Sequence, residues 1–225
     1  LLDTGGWLSW GCPYSKTAKP EIKGAIYRIQ RKSTTIHRDP RGHALAWESL
    51  ADEPLVQLLA DLRPAVRDRA AKVMIEKGET GIESMEFAFK QSKDPEFRKR
   101  ILWVISRMSG IRRLEILKGA VLDVDEGVRQ VAAKSLGRSK DPSSGESLGR
   151  LLNDPSPFVR ATAAEAIGHL SDKTSLPLLF RHMDAMDPLH TRHAFVYALM
   201  QMKDPVGLKT FLHDDSQPYR QKIAL

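Results

Sequence analysis

Apolar positions in this chain fall on helical faces, and the faces recur. Val66, Phe97, Val128, Val159, Thr191 and Tyr219 are followed, four positions later, by Ala70, Ile101, Ala132, Ala163, Phe195 and Ile223. Residues four apart share one side of a helix. That side is apolar or small at almost every recurrence, so it is expected to be buried, and the recurrent Ala predicts close approach of neighbouring helices. Between the two members stands an arginine each time: Arg67, Arg98, Arg129, Arg160, Arg192 and Arg220, at steps of 31, 31, 31, 32 and 28 residues. A period in this range is the mark of a solenoid, in which each repeat covers the apolar face of its neighbour.

Shorter apolar stretches alternate with these segments: Leu55–Leu59, Met85–Phe89, Leu114–Leu117, Leu148–Leu152, Leu176–Phe180 and Leu208–Leu212. They predict a first helix (A) in each repeat, followed by the arginine-bearing helix (B), giving helical hairpins. Asp94-Pro95, Asp154-Pro155 and Asp187-Pro188 are expected to open B helices. A carboxylate can cap free N–H groups, and Pro fits the first helical position. Asp141, Asp172 and Asp204 fall at the junction between repeats and are read as caps there. Gly78, Gly110, Gly137 and Gly168 are expected at helix ends, where a left-handed conformation is wanted.

Asp154-Pro155-Ser156-Pro157-Phe158-Val159-Arg160-Ala161-Thr162-Ala163-Ala164-Glu165-Ala166-Ile167-Gly168 resembles the B helix of a HEAT repeat, and more narrowly the short HEAT-like repeats of phycobilisome lyases. The resemblance covers residues 46–225. It implies an all-α, right-handed α-solenoid of about five and a half hairpins, preceded by a short β or irregular segment. It says little about function, because such repeats serve in lyases, glycosylases, scaffolds and multidomain enzymes.

The arginine row admits two readings. One is a line of anion-binding groups. The other is an internal ladder, with each guanidinium bonding loop carboxylates or carbonyls near Asp141, Asp172 and Asp204. Regular recurrence favours the ladder, because every repeat needs the same internal bond.

Residues 1–41 do not follow the period. Ala25–Lys32 alternates apolar and polar residues and predicts a strand, and Gly5-Gly6-Trp7, Gly11-Cys12-Pro13 and Lys19-Pro20 are turn chemistry. Asp39-Pro40-Arg41-Gly42 reads as a linker, giving domains of 1–41 and 42–225. Asp3-Thr4-Gly5-Gly6-Trp7, Gly11-Cys12-Pro13, Ala18-Lys19-Pro20 and Gly24-Ala25-Ile26-Tyr27-Arg28-Ile29 together resemble the closing segment of a β-propeller. The propeller is that of the large membrane-bound dehydrogenase proteins of planctomycetes and verrucomicrobia. The resemblance implies an exported or periplasmic parent with a sugar-dehydrogenase-like propeller, HEAT repeats and a c-type cytochrome module carrying haem c. No cofactor is expected within this stretch itself. Leu1 is not an initiating Met and the helical pattern runs to Leu225, so a piece of a longer protein is expected.

Charge changes the picture in one respect. Of the net +7, residues 1–45 hold eight Lys and Arg against three acids, and the remaining 180 residues hold 27 against 25. A nearly neutral array is a poor match for nucleic acid, whose binding rests on phosphate neutralisation. No run of about eighteen apolar residues predicts a membrane span. One cysteine, Cys12, excludes a disulfide within these residues.

Other chemistry is thin. Asp3-Thr4-Gly5 matches an aspartic-protease triplet, which needs a second copy that is absent. His190 and His193, with His182 on the preceding A helix, are weak metal candidates, and a solvated pair is the plainer reading. Trp103 is read as core or inter-helix packing. Arg98-Lys99-Arg100 with Arg112-Arg113 is the densest basic cluster of the array, a solvated face by default and an acidic-partner site as the alternative. No catalytic or cofactor-binding residue is assigned. The expected function is an interaction or spacer scaffold that binds protein or neighbouring domains. The alternative is a HEAT-like lyase or nucleic-acid enzyme working on the B-helix side. A scaffold should lack a pocket that joins ionisable groups from several B helices.

Overall fold

The computed structural model describes residues 2–3, 25–26, 38–183 and 187–212. They belong to two units, Leu1–Arg38 and Asp39–Leu225. In the first, strand β1 (Leu2–Asp3) pairs antiparallel with β2 (Ala25–Ile26), Leu2 opposite Ile26 and Asp3 opposite Ala25. The start of the expected strand thus finds a partner for its backbone groups inside that unit. Tyr27–Lys32 and the turn residues Gly5–Pro20 lie outside the described residues.

The second unit is an all-α solenoid of hairpins. The A helices are α1 (Asp52–Gln57, continued by a 3-10 turn Leu58–Ala60), α3 (Glu79–Gln91), α5 (Arg112–Ala120), α7 (Gly145–Leu151) and α9 (Leu176–His182). The B helices are α2 (Pro64–Glu76), α4 (Pro95–Ile105), α6 (Glu126–Ser139), α8 (Pro157–Leu170) and α10 (Leu189–Met202). Helix α11 (Pro205–Leu212) follows in the position of a sixth A helix. Val66, Phe97, Val128, Val159 and Thr191 are all buried, as are Ala70, Ile101, Ala132, Ala163 and Phe195. One continuous core therefore runs between the A and B layers. Thr191 is tolerated there because its hydroxyl donates to the Pro157 carbonyl at 3.1 Å. Tyr219, Arg220 and Ile223 fall outside the described residues.

Helix starts follow local chemistry, with two corrections. Asp94 caps α4 by accepting the Glu96 N–H at 2.9 Å, and Asp125 caps α6 through the Val128 N–H at 3.0 Å. Asp141 and Asp172 cap 3-10 turns through the Ser143 and Thr174 N–H groups, and Asp204 accepts from Gly207 N–H at 3.2 Å. Asp154 and Asp187 are not helix caps. Helix α8 begins at Pro157 behind Ser156, and α10 at Leu189 behind Pro188. Their carboxylates serve arginines of the preceding repeat instead.

Helix ends need a further correction. Gly137 and Gly168 lie inside α6 and α8. A Cβ on Gly137 would stand 2.6 Å from Ala166 Cα, and one on Gly168 2.7 Å from Ala198 Cα, so these glycines allow adjacent B helices to touch backbone to backbone. The left-handed caps are Lys140, Ser171 and Lys203, with φ of 54°, 54° and 50°. Gly78 and Gly110 do have positive φ, 60° and 95°.

The Asp39–Gly42 segment, expected as a linker, is bonded into the array. Asp39 Oδ1 and Oδ2 accept the His43 and Ala44 N–H groups at 2.8 and 3.0 Å. Arg63 Nη1 donates to the Asp39 carbonyl at 3.0 Å. Trp47 closes the end of the core, with its Nε1 donating to the Gly42 carbonyl at 2.7 Å and Arg69 stacked 4.5 Å from its ring centroid.

Candidate interaction surface

The arginine row forms a relay between repeats. In four repeats the guanidinium Nη1 reaches back six residues to a carbonyl: Arg67 to Asp61 (2.7 Å), Arg98 to Ser92 (2.9 Å), Arg129 to Asp123 (2.9 Å) and Arg160 to Asp154 (2.7 Å). These bonds tie the loop between helices A and B to the B helix. The other nitrogens reach forward into the next repeat. Arg98 Nη2 meets Asp123 Oδ1 at 2.9 Å. Arg129 Nε and Nη2 hold both oxygens of Asp154, at 2.6 and 2.8 Å. Arg160 Nη2 pairs with Asp187 Oδ1.

The carboxylates are therefore Asp123, Asp154 and Asp187, not Asp141, Asp172 and Asp204, which are engaged in capping. Asp123 and Asp154 each serve two arginines, one through the side chain and one through the carbonyl. Arg67 lacks a forward partner because the equivalent position is Ser92. The equivalent position after Arg192 lies outside the described residues. Asp154 holds the Arg129 guanidinium further above its already high pKa, so the arginine stays a cation.

The basic cluster noted in the sequence does not come together as one surface. Arg98 is buried in the relay. Lys99 pairs with Glu96 on its own helix. Arg112 bonds Glu83 at 2.6 Å and Glu86 at 3.0 Å, linking α5 to α3 on the A side. Arg113 donates to the Ser106 carbonyl at 3.3 Å. Arg100 likewise donates to a carbonyl, its Nη1 reaching that of Leu59 at 3.2 Å.

Off the arginine row, Arg69, Arg100, Lys134 and Arg138 on B helices and Arg107 just past α4 pair with no carboxylate among the described residues. Their phase is regular. Arg69 and Arg100 stand two positions after the relay arginine, Trp103 and Lys134 five, and Arg107 and Arg138 nine. Lys134 Nζ lies 5.9 Å from the Trp103 ring centroid, so the fifth-position residues of α4 and α6 meet across the helix boundary. Trp103 is thus half-buried between helices rather than in the core. The signal was present as a second clock in phase with the first.

Further along, Phe158 stacks on His190 at 4.8 Å and His169 meets Tyr197 edge-on at 6.4 Å. His190 and His193 are exposed. Among the described residues no group of three or more His, Cys, Asp or Glu side chains is placed to hold a metal ion.

Three surface grooves stand out. The largest, about 610 Å³, is lined by Val56, Gln57, Phe87, Ala88 and Phe97 with Glu53 and Glu83. A second, about 360 Å³, lies between α3 and α5 around Glu86, Phe89, Arg112 and Ile116. The third, about 380 Å³, surrounds Trp47 and Arg69. None of these three joins ionisable groups from several B helices. Lys90, then Arg112, hold the Glu86 carboxyl below the usual range against the opposing effect of burial. That makes it a fixed anion and not a poised acid. Among the described residues no helix is long and apolar enough to cross a membrane.

Comparison with known proteins agrees with this geometry. No curated protein matches the chain significantly in sequence. Among solved structures, the YibA protein of Escherichia coli is similar at 21% identity and a TM-score of 0.55, over 88% of this chain and 75% of that one. The CpcE–CpcF phycocyanin lyase complex of Nostoc sp. PCC7120 is similar at 18% identity and a TM-score of 0.53, over 80% of this chain and 74% of that one. At these identities the likeness is one of fold. The sequence profile of HEAT repeats matches residues 53–137, 120–200 and 145–225. The chain belongs to the HEAT-repeat family.

Proposed function

We propose that this chain is a non-catalytic protein-interaction and spacer scaffold. The observation that carries the reading is the relay. The recurrent ionisable residues Arg98, Asp123, Arg129, Asp154, Arg160 and Asp187 bind one another across three repeat junctions. A row of groups satisfied in this way stiffens an arm and offers nothing to a substrate. The exposed sides of the B helices remain for partners, in keeping with a HEAT array.

The parent is proposed to be a larger exported protein. In it, residues 1–41 close a sugar-dehydrogenase-like propeller and the array at 42–225 spaces that propeller from a c-type cytochrome module. Support for this part is the order Gly5-Gly6-Trp7, Gly11-Cys12-Pro13 and Gly24-Ala25-Ile26-Tyr27-Arg28 ahead of the repeats. Intact mass and a covalent-haem stain on the native gene product test it. A mass several times 25.2 kDa with haem supports the parent. A haem-free product near that mass removes the parent and leaves the scaffold reading to stand on the array alone.

A further inference from the structure

These five cations without carboxylate partners are not spread evenly. Lys134 on α6 lies against the Trp103 ring of α4, exposed Arg138 follows one turn further along α6, and exposed Arg107 stands just past the end of α4, four residues after Trp103. On the α2 side the fifth and ninth positions are Lys72 and Glu76, which pair with each other at 3.8 Å. On the α8 side the fifth position is Glu165. The result is a basic patch two helices wide, centred on an aromatic ring and bounded by acids. Lys99, next to it on α4, is already taken by Glu96.

We propose that this patch is a docking site for an extended acidic polypeptide segment, with Trp103 as its apolar contact and Arg107, Lys134 and Arg138 as its carboxylate contacts. The proposal rests on the scaffold reading and names the partner's chemistry. Charge complementarity argues for an acidic partner, since cations without carboxylates are free to pair with those of another chain. Dimensions argue for an extended segment. Adjacent packed helices lie about 8–10 Å apart, and every third side chain of an extended polyproline II segment returns to the same side at about 9 Å. A peptide crossing from α4 to α6 can thus place one carboxylate on each helix with its intervening side chains over Trp103. Polypeptide is favoured over nucleic acid because the basic area ends at Glu76 and Glu165 and the array beyond it is close to neutral. Polynucleotide affinity needs many phosphates neutralised along a track.

The test uses the whole chain and fluorescein-labelled octaglutamate, read by anisotropy at about 20 and 150 mM salt. Octaglutamine, octalysine and an eight-nucleotide oligothymidylate serve as comparison probes. Octaglutamate is expected to bind, more tightly at low salt. The triple variant Arg107→Glu, Lys134→Glu, Arg138→Glu should weaken it about tenfold or more, through loss of several contacts and added repulsion. A control of equal charge change elsewhere, Lys93→Glu, Arg150→Glu, Lys173→Glu, should weaken it less than about twofold, as distant exposed charges are screened. Trp103→Phe should lower affinity several-fold with the thermal midpoint retained, keeping the test independent of folding. Equal loss in both triple variants overturns the site, as does absence of octaglutamate binding. Equal binding of octaglutamine overturns the acidic specificity and leaves the scaffold standing. Tighter binding of the oligothymidylate overturns both readings in favour of a nucleic-acid surface.

Discussion

Arg129 on α6 grips Asp154 of the following repeat by both oxygens, Nε to Oδ2 at 2.6 Å and Nη2 to Oδ1 at 2.8 Å. The two side chains are 13% and 5% exposed. Removing one partner of a buried pair leaves an uncompensated charge, which costs about 3–5 kcal/mol. Arg129→Ala should therefore lower unfolding stability by about that much in urea denaturation. Arg129→Ala with Asp154→Ala should recover part of the loss. An unchanged urea midpoint in the single variant would contradict the structural role given to the relay.

Gly137 and Gly168 let α6, α8 and α10 approach backbone to backbone. Each Cβ would stand within 2.7 Å of a neighbouring Cα, and backbone cannot yield as a flexible side chain can. Gly137→Ala and Gly168→Ala should each destabilise by about 1–3 kcal/mol, the usual cost of overpacking, despite the better helix propensity of Ala. A rise in melting temperature in either variant would show that these helices are less tightly apposed.

Lys140, Ser171 and Lys203 occupy left-handed positions that favour glycine. Lys140→Gly and Ser171→Gly should stabilise by about 1 kcal/mol each, since a non-glycine residue pays about 1–2 kcal/mol there. Differential scanning calorimetry reads the shift, and a fall in midpoint would contradict the cap geometry.

Acid should weaken the A side of the array. Lys90 and Arg112 depress the Glu86 carboxyl. The side-chain and backbone bonds of Thr174 do the same for Asp172, and those of Ser143 for Asp141. A carboxyl whose pKa is lower folded than unfolded contributes stability that is whole above its unfolded value, about 4.3 for Glu. That contribution fades as pH falls through the lowered value. Stability should thus drop below about pH 4. Glu86→Gln should be less stable than the parent at neutral pH and converge with it in acid. Parallel urea midpoints at both pH values would sink this assignment.

Much of the fold was legible in residue order. Asp94 before Pro95 marks the start of α4, and Phe97 with Ile101 marks its buried stripe, because capping and helical periodicity act within a few residues. The α8 and α10 starts depart from local sequence for a different reason. Asp154 and Asp187 sit in the right place to cap, yet their carboxylates are claimed by Arg129 and Arg160, about one repeat earlier in the chain. Gly137 and Gly168 depart from local expectation likewise. Near a helix end a glycine suggests a cap, and nothing local reveals that Ala166 or Ala198 presses against it.

The candidate surface divides along the same line. The 31-residue clock already implied a solenoid, a buried B-helix face and an arginine repeated for structure. Those properties follow from periodicity, which any stacking of the hairpins must honour. Which carboxylate answers each arginine emerges only when successive hairpins stack, since ion pairs depend on distance in space. The same stacking buries Arg98, turns Arg112 to the A side and leaves Arg107, Lys134 and Arg138, near Trp103, without carboxylate partners among the described residues. Neighbours in sequence, such as Arg98, Lys99 and Arg100, point to different sides of one helix. Residues a full repeat apart, such as Trp103 and Lys134, come into contact.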